Sequence, residues 1–332
     1  MLVVPPAPIP QQAHYAIGEY KAKYQDTFTA ETPGTRRKAL WEGVHGSRTL
    51  HLIRMSTTQT QQAALVRPLE NCNMAGTNTR RQNPMNVIYG INTVTEALKA
   101  RGRAFEWIGV AKERHDIRLQ RIIAECRKIG VNVRVLPRVE LDRMSVNGAH
   151  QGVVAVTSAK QYTDLDDLVA SKRAEHSLIV VLDGVEDPHN LGAILRTADA
   201  AGADGVVIPE RRAVGVTGTV AKASAGASEH LPVAKVTNIS RAIEELKAKQ
   251  LWIVGLDERG PQTYDSIDYK MDCAIVLGAE GKGLHDLVRR HCDFLVSIPM
   301  FGQVPSLNVS VAAGVVLYEV VRQRRQPASK KI

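Results

Sequence analysis

Cysteine is scarce and unpatterned: Cys72, Cys126, Cys273 and Cys292 are the only four in 332 residues, with no CxxC spacing and no histidine partner pattern. This excludes a zinc knuckle and a disulfide framework, and it suits a reducing compartment. No apolar run approaches the roughly 18 residues of a membrane-spanning helix. Residues 2–10 lack both the basic start and the long apolar stretch of a secretion signal. A soluble, cytoplasmic protein with no bound metal is expected. Two nucleotide-binding fingerprints are missing as well. The glycines of 278–283 have the spacing of a phosphate loop, but Leu284 and His285 follow where Lys and Ser or Thr are required. No GxGxxG follows the first strand of the C-terminal half, and no repeat of fixed period is visible.

What is present is a chain with 44% hydrophobic residues, long enough for about two domains of roughly 100–200 residues. Its formal charge of +9 is unevenly spread. Residues 85–160 carry 13 Lys and Arg against 7 Asp and Glu, whereas residues 161–332 carry 20 against 22. A basic module attached to a near-neutral one suits a polyanion partner, because phosphate neutralisation supplies most sequence-independent nucleic-acid affinity. A merely soluble basic surface would give the same totals.

Residues 1–84 are poor in periodic apolar pattern and contain a proline-rich start and long polar stretches, so a disordered extension is expected. Met85 opens the orderly pattern and is a possible natural start. Residues 85–159 alternate strand and helix as a small α/β unit: helix 93–100, strand 104–110, a helix N-capped by Asp116 and ended by Gly130, strand 131–136, helix 138–144 and strand 153–157. A linker at 160–176, in which 164–173 reads as a helix or as plain linker, leads to a second domain, 177–325, with a short tail at 326–332. There, strands at 178–182, 205–208, 231–234, 251–255, 273–278 and 294–298 are separated by helices at 190–201, 216–223, 240–248, 284–290 and 308–322. That alternation predicts an α/β fold on a parallel sheet, with a ligand site beyond the carboxyl ends of its strands.

Three segments stand just after predicted strands: DGVEDPHNLGAILR at 183–196, LGAEGKGL at 277–284 and IPMFGQVPSLNVS at 298–310. In this order they resemble the motifs of the SpoU family of RNA ribose 2′-O-methyltransferases, a branch of the SPOUT superfamily. YGINTVTEAL at 89–98 and GAHQGVVA at 148–155 resemble that family's substrate-binding domain, which looks like ribosomal protein L30. Residues 1–84 have no counterpart in it. The resemblance implies a trefoil-knotted catalytic domain, S-adenosylmethionine as cofactor, RNA as partner and a homodimer. With both domains present it implies a guanosine of 23S ribosomal RNA as target; transfer RNA is the family's other common substrate. A non-catalytic RNA-binding protein is the reading from a different class, against which intact Arg196, Glu280 and Asn308 stand.

The resemblance places Gly278, Ile298 and Leu307 around the cofactor, and Gly281 and Gly283 permit the same close backbone approach. It places Asn190, Arg196, Glu280, Ser306 and Asn308 in the catalytic set. Because a guanidinium stays protonated at neutral pH, Arg196 is expected to stabilise the developing ribose oxyanion, with a phosphate as candidate proton acceptor. Bland roles exist for each: Asn190 as a helix N-cap, Arg196 as a solvated side chain, Glu280 paired with Lys282, and Ser306 and Asn308 as caps of the last helix. His189 is expected to support the site at most. His150 and Gln151 are expected to fix a turn. Pro305 is expected to stiffen its loop, and Val311, Val315, Leu317 and Val321 offer apolar surface for a dimer. If Met85 is the start, the intact mass of the protein from its native host should fall short of 332 residues; a full-length mass removes that expectation.

Overall fold

The computed structural model describes residues 86–112, 116–146, 148–279 and 281–325. The extension 1–84, the tail 326–332 and Glu280 lie outside the described residues. The first module is a four-stranded sheet of β1 (Asn86–Tyr89), β4 (Val153–Thr157), β2 (Phe105–Ala111) and β3 (Val133–Leu136) in that spatial order. Its helices are α1 (Ile91–Ala100), α2 (Ile117–Ile129) and α3 (Arg138–Met144). As expected, Asp116 caps α2 by accepting from the Arg118 amide, and Gly130 closes it at φ 74°. Sequence pattern missed β1, whose four residues are too short to show a period and exist because they pair antiparallel with β4. Helix α1 starts earlier than expected, at Ile91, where the Gln151 side chain accepts the Ile91 amide at 3.1 Å.

The second module is a seven-stranded sheet. Its strands are β5 (Leu178–Asp183), β6 (Gly205–Pro209), β7 (Val233–Val236), β8 (Trp252–Leu256), β9 (Gln262–Thr263), β10 (Cys273–Gly278) and β11 (Phe294–Ser297). They lie in the order β7-β6-β5-β10-β8-β11-β9, every pair parallel. Parallel strands are covered on both faces and read as unbroken apolar runs; β5 and β10 fit this, with every residue from Leu178 to Leu182 and from Cys273 to Leu277 buried. Helices α5 (Pro188–Ala200), α6 (Gly218–Ala223) and α9 (Val309–Arg325) pack on one face. Helices α4 (Leu165–Ala170), α7 (Ile239–Ala248) and α8 (Asp286–His291) pack on the other. Within the expected linker, the stretch 164–173, read as helix or linker, does form a helix and contributes to the core: Leu165 and Leu168 of α4 are buried, and Thr163 bridges to Ala234 of β7. Among the described residues, no helix is long and apolar enough to cross a membrane.

The two modules belong to one compact unit and meet along α6 and the 3-10 turn Ala227–Glu229. Ala221 of α6 sits in the core of the first module, and a Cβ on Gly218 would come within 2.1 Å of the Val87 carbonyl oxygen. At this joint Arg103 forms a fork with Glu229, Nε to Oε2 at 2.8 Å and Nη2 to Oε1 at 3.0 Å, with side chains only 2% and 1% exposed. Lys160 donates to the Glu229 carbonyl at 3.3 Å, and burial pushes its pKa down despite the attraction of Glu229. His150 and Gln151 hold the turn before β4 as expected: His150 meets Asp142 at 2.8 Å and accepts the Gly152 amide at 3.0 Å. Gln151 does more than was expected, since it also accepts from Lys222 of α6 at 2.8 Å and so spans the joint. Removing one partner of a buried ion pair leaves an uncompensated charge at a cost of about 3 kcal/mol. Glu229→Gln should lower unfolding stability by that order in a denaturant titration, and an unchanged midpoint would show that the fork carries no weight.

Candidate active site

The strand order reverses beside β5: the chain winds outward through β6 and β7, then returns so that β10 lies between β5 and β8. Ligand sites of parallel sheets form at such a reversal, beyond the carboxyl ends of the strands. Register supplies the geometry. Gly278, the last residue of β10, pairs with Asp183, the last of β5, and Leu277 pairs with Leu256 of β8. Leu256 in turn pairs with Val296 of β11, two residues before Ile298. The three predicted segments thus leave one edge of one sheet.

The segment after β10 closes on itself. Ala279 and Gly283 exchange backbone hydrogen bonds at 3.1 and 3.0 Å, and Gly278 lies so close to this turn that a Cβ there would sit 2.1 Å from the Gly283 carbonyl carbon. Gly281 and Gly283 take φ of 74° and 65°, and nothing stands within 4 Å of where a Gly281 side chain would begin. A glycine turn with an open outer side presents backbone amides and carbonyls without side-chain obstruction. Ile298 is half-buried and Leu307 is 39% exposed, so both have apolar surface left for a ligand. Backbone polar groups and part-exposed apolar side chains leaving one sheet edge are the kinds of group that an adenosine site uses.

The catalytic candidates are brought together unequally. The amide of Asn308 donates to the Asn190 side-chain oxygen at 3.0 Å, joining the first and third segments across 118 positions of chain. Asn308 also accepts from the Ser310 amide and hydroxyl at 2.9 and 2.6 Å, which caps α9 as its bland role required. Asn190 is not a cap. Asp187 takes that place by accepting the His189 amide, with Pro188 at the first helical position, and Asn190 is buried inside the first turn of α5. Arg196 lies further along α5, exposed, and among the described residues it makes no hydrogen bond or ion pair. Ser306 is exposed in the loop before α9. His189 is exposed too.

Two acidic residues at the same edge escaped notice in the sequence. Asp183 is 5% exposed and is gripped by His285, whose amide donates at 2.8 Å and whose ring Nδ1 lies at 2.9 Å. Asp257 follows β8 directly, is 3% exposed, and accepts from the Arg259 amide at 2.9 Å and its guanidinium at 3.1 Å. A signal existed: both are acidic residues at the end of an apolar strand, where the strand-end rule looks for a site. No group of three or more metal-ligating side chains occurs among the described residues.

Comparison with known proteins decides the family. Residues 177–318 match the SpoU rRNA Methylase family, and residues 87–163 match the domain described as RNA 2'-O ribose methyltransferase substrate binding. A Bacillus subtilis protein that carries the name "Putative TrmH family tRNA/rRNA methyltransferase YacO" is 48% identical over 239 residues, covering 71% of this chain and 95% of the relative. The chain belongs to the SpoU rRNA methylase family. The Coxiella burnetii 23S rRNA (guanosine-2'-O-)-methyltransferase RlmB is 46% identical over 73% of this chain and 97% of its own. Among solved structures, the SpoU methyltransferase AviRb from Streptomyces viridochromogenes in complex with AdoMet aligns with a TM-score of 0.62 and 26% identity, covering 75% of this chain and 94% of that one. An AdoMet-bound rRNA methyltransferase from Sinorhizobium meliloti aligns with the same TM-score and 27% identity, over 73% and 88%. The expected α/β parallel-sheet fold with its N-terminal substrate-binding domain is therefore the fold of this SpoU-family chain.

At the edge of that sheet, burial alone would raise the Asp257 carboxyl, but hydrogen bonds and charge from Arg259, with the charge of Arg289, hold it below the usual carboxylate range. A lowered folded pKa stabilises fully above the unfolded value of about 3.9 and is lost as pH falls through the folded value. Arg259→Ala should therefore lower Tm at neutral pH and converge with the wild type on acidification. Parallel Tm curves down to about pH 2 would refute this role.

Proposed function

We propose that this chain is an S-adenosylmethionine-dependent RNA ribose 2′-O-methyltransferase acting on a guanosine of 23S ribosomal RNA. The observation that carries the reaction is the convergence of three family segments at one sheet edge, through the Gly278 to Asp183 register and the Asn308 to Asn190 hydrogen bond. The 46% identity to RlmB supports the guanosine and the ribosomal target. The glycine turn of Gly278, Gly281 and Gly283, together with Ile298 and Leu307, would hold the cofactor. When bound, S-adenosylmethionine supplies a sulfonium methyl group that is already electrophilic.

What remains for the protein is to place a weakly acidic hydroxyl and to stabilise the negative charge that grows on its oxygen. The Asn190 to Asn308 bond pins the loop ahead of α9 onto α5 and so positions Ser306 and Leu307. Arg196 keeps a permanent cation exposed on α5, without a protein partner among the described residues, and serves the developing oxyanion. Glu280 stays in the proposed set on the resemblance of its segment. The basic first module delivers folded RNA, whose accessible loops expose the ribose.

A trefoil knot at this edge is part of the proposal, supported by the late insertion of β10 between earlier strands. So is a cytoplasmic homodimer. Val311 and Tyr318, seven positions apart and hence on one face of α9, are 51% and 52% exposed, while Phe301 in the preceding loop is 97% exposed. Leu317, offered to the dimer by the sequence pattern, is instead fully buried in the core.

The test is to incubate the protein with methyl-labelled cofactor and separated 23S rRNA, 16S rRNA and tRNA, then map the methylated ribose. Label on 23S rRNA guanosine is expected; label confined to tRNA would move the substrate, and no label on any RNA would end the proposal. Arg196→Lys keeps the charge but loses the planar fork, so its turnover should fall about a hundredfold with RNA binding retained. Full turnover would remove Arg196 from the mechanism, and a monomer in sedimentation would remove the dimer.

A further inference from the structure

On the face of β5 opposite α5, the sheet edge opens into a cavity of about 320 Å³ that none of the three segments was expected to use. It lies between the loop after β6, the start of α7 and the start of α8, and Arg211, Arg212, Ser240 and His285 line it. Arg211 and Arg212 are exposed, and neither makes a hydrogen bond or ion pair among the described residues. Ser240, at the second position of α7, is only 7% exposed and lines the cavity, yet its hydroxyl has no hydrogen-bond partner among the described residues. The amides of Ile239 and Ser240 likewise make no backbone hydrogen bond, because the Asn238 cap is taken up by Arg241 and Ala242. The acidic group at the rim, Asp183, is already engaged by His285.

Two unpaired guanidinium groups, an unpartnered hydroxyl on a buried serine and the free amides of a ten-residue helix all favour one kind of ligand, a tetrahedral oxyanion. We propose that this cavity binds a backbone phosphate of the RNA substrate next to the nucleotide being methylated. Its position supports this. The cavity includes Asp183 and Gly184, and a Cβ on Gly184 would stand 3.4 Å from the Ala279 Cβ of the glycine turn, so both sites share the end of β5. A strand of RNA laid over that edge would place its ribose on the β10 side and a neighbouring phosphate on the β6 side. The carboxylate of the cofactor's methionine moiety has the same oxyanion chemistry, and the experiment separates the two.

The inference rests on the proposed reaction only for the nature of the nucleic acid, and its readout is RNA binding without methyl transfer. Binding of a 23S rRNA transcript is measured across a salt series, with S-adenosylmethionine binding measured separately. Arg211→Gln/Arg212→Gln should weaken RNA about tenfold and reduce the slope of log affinity against log salt by about one unit for each phosphate that is no longer neutralised. Ser240→Asp puts an acid at a helix start, where the dipole favours one, and places a carboxylate in the phosphate site; with an unchanged circular-dichroism spectrum as the control for folding, RNA affinity should fall by at least about tenfold. Cofactor affinity should not change in either variant. Unchanged RNA affinity and salt slope in both would overturn the proposal, as would a loss of cofactor affinity in place of RNA affinity. A wild type that binds RNA but transfers no methyl group would defeat the proposed reaction and leave this site standing.

Discussion

The position of β10 governs this molecule. A parallel strand flanked on both sides must be apolar on both faces, and Cys273–Leu277 are each no more than 1% exposed. Its insertion between β5 and β8 aligns Gly278 with Asp183 and lays the glycine turn against the start of the first family segment. If β10 lay at a sheet edge, the three segments would depart from distant strands and share no surface. The absence of a side chain at Gly278 follows from the same constraint, since the turn folds back to within 2.1 Å of where a Cβ would stand.

The joint between the modules carries a second constraint of a different kind. Small residues, Gly218 and Ala221, let α6 approach β1 and enter the first module's core, which gives close contact without polar specificity. Specificity comes from the polar set around it: the Arg103 to Glu229 fork, the hydrogen bond from Thr93 to the Ala221 carbonyl at 3.3 Å, and Gln151 between Ile91 and Lys222. Charges only 1–2% exposed must be matched in direction as well as distance. The basic module is thereby held in one orientation against the sheet rather than tethered to it. For an enzyme that must bring a particular ribose to a particular edge, such a joint makes the distance between RNA-binding surface and reaction site a property of the fold.

Charge is arranged with the same economy. The described carboxylates at the sheet edge, Asp183 and Asp257, are both engaged by a neighbouring His or Arg. Arg211 and Arg212, which share a cavity wall with Asp183, and Arg196 on α5 have no protein partner among the described residues. An edge with neutralised acids and available guanidinium groups presents a positive face to a polyanion, although the C-terminal domain as a whole is close to neutral.

Much of this was written locally. The strand Cys273–Gly278, the helix Arg138–Met144 and the caps Asp116 and Gly130 were legible because apolar period, length and capping chemistry act within a few residues. The order of the three segments after their strands was legible too, and with it the family. Elements that exist only through pairing were not: β1 and the two-residue β9 have no period of their own and form because β4 and β11 supply partners. Asn190 shows the division most clearly. Its residue type and place near a helix start suggested a cap, yet Asp187 takes the cap and Asn190 turns inward to a partner 118 positions away. Short-range sterics and hydrophobic period, read along the chain, mark most of its strands and helices and the ligand-binding edge, and leave out only elements that pairing creates. The tertiary structure alone decided which side chains meet there, because hydrogen bonds between distant segments depend on strand order and register, which no local pattern encodes.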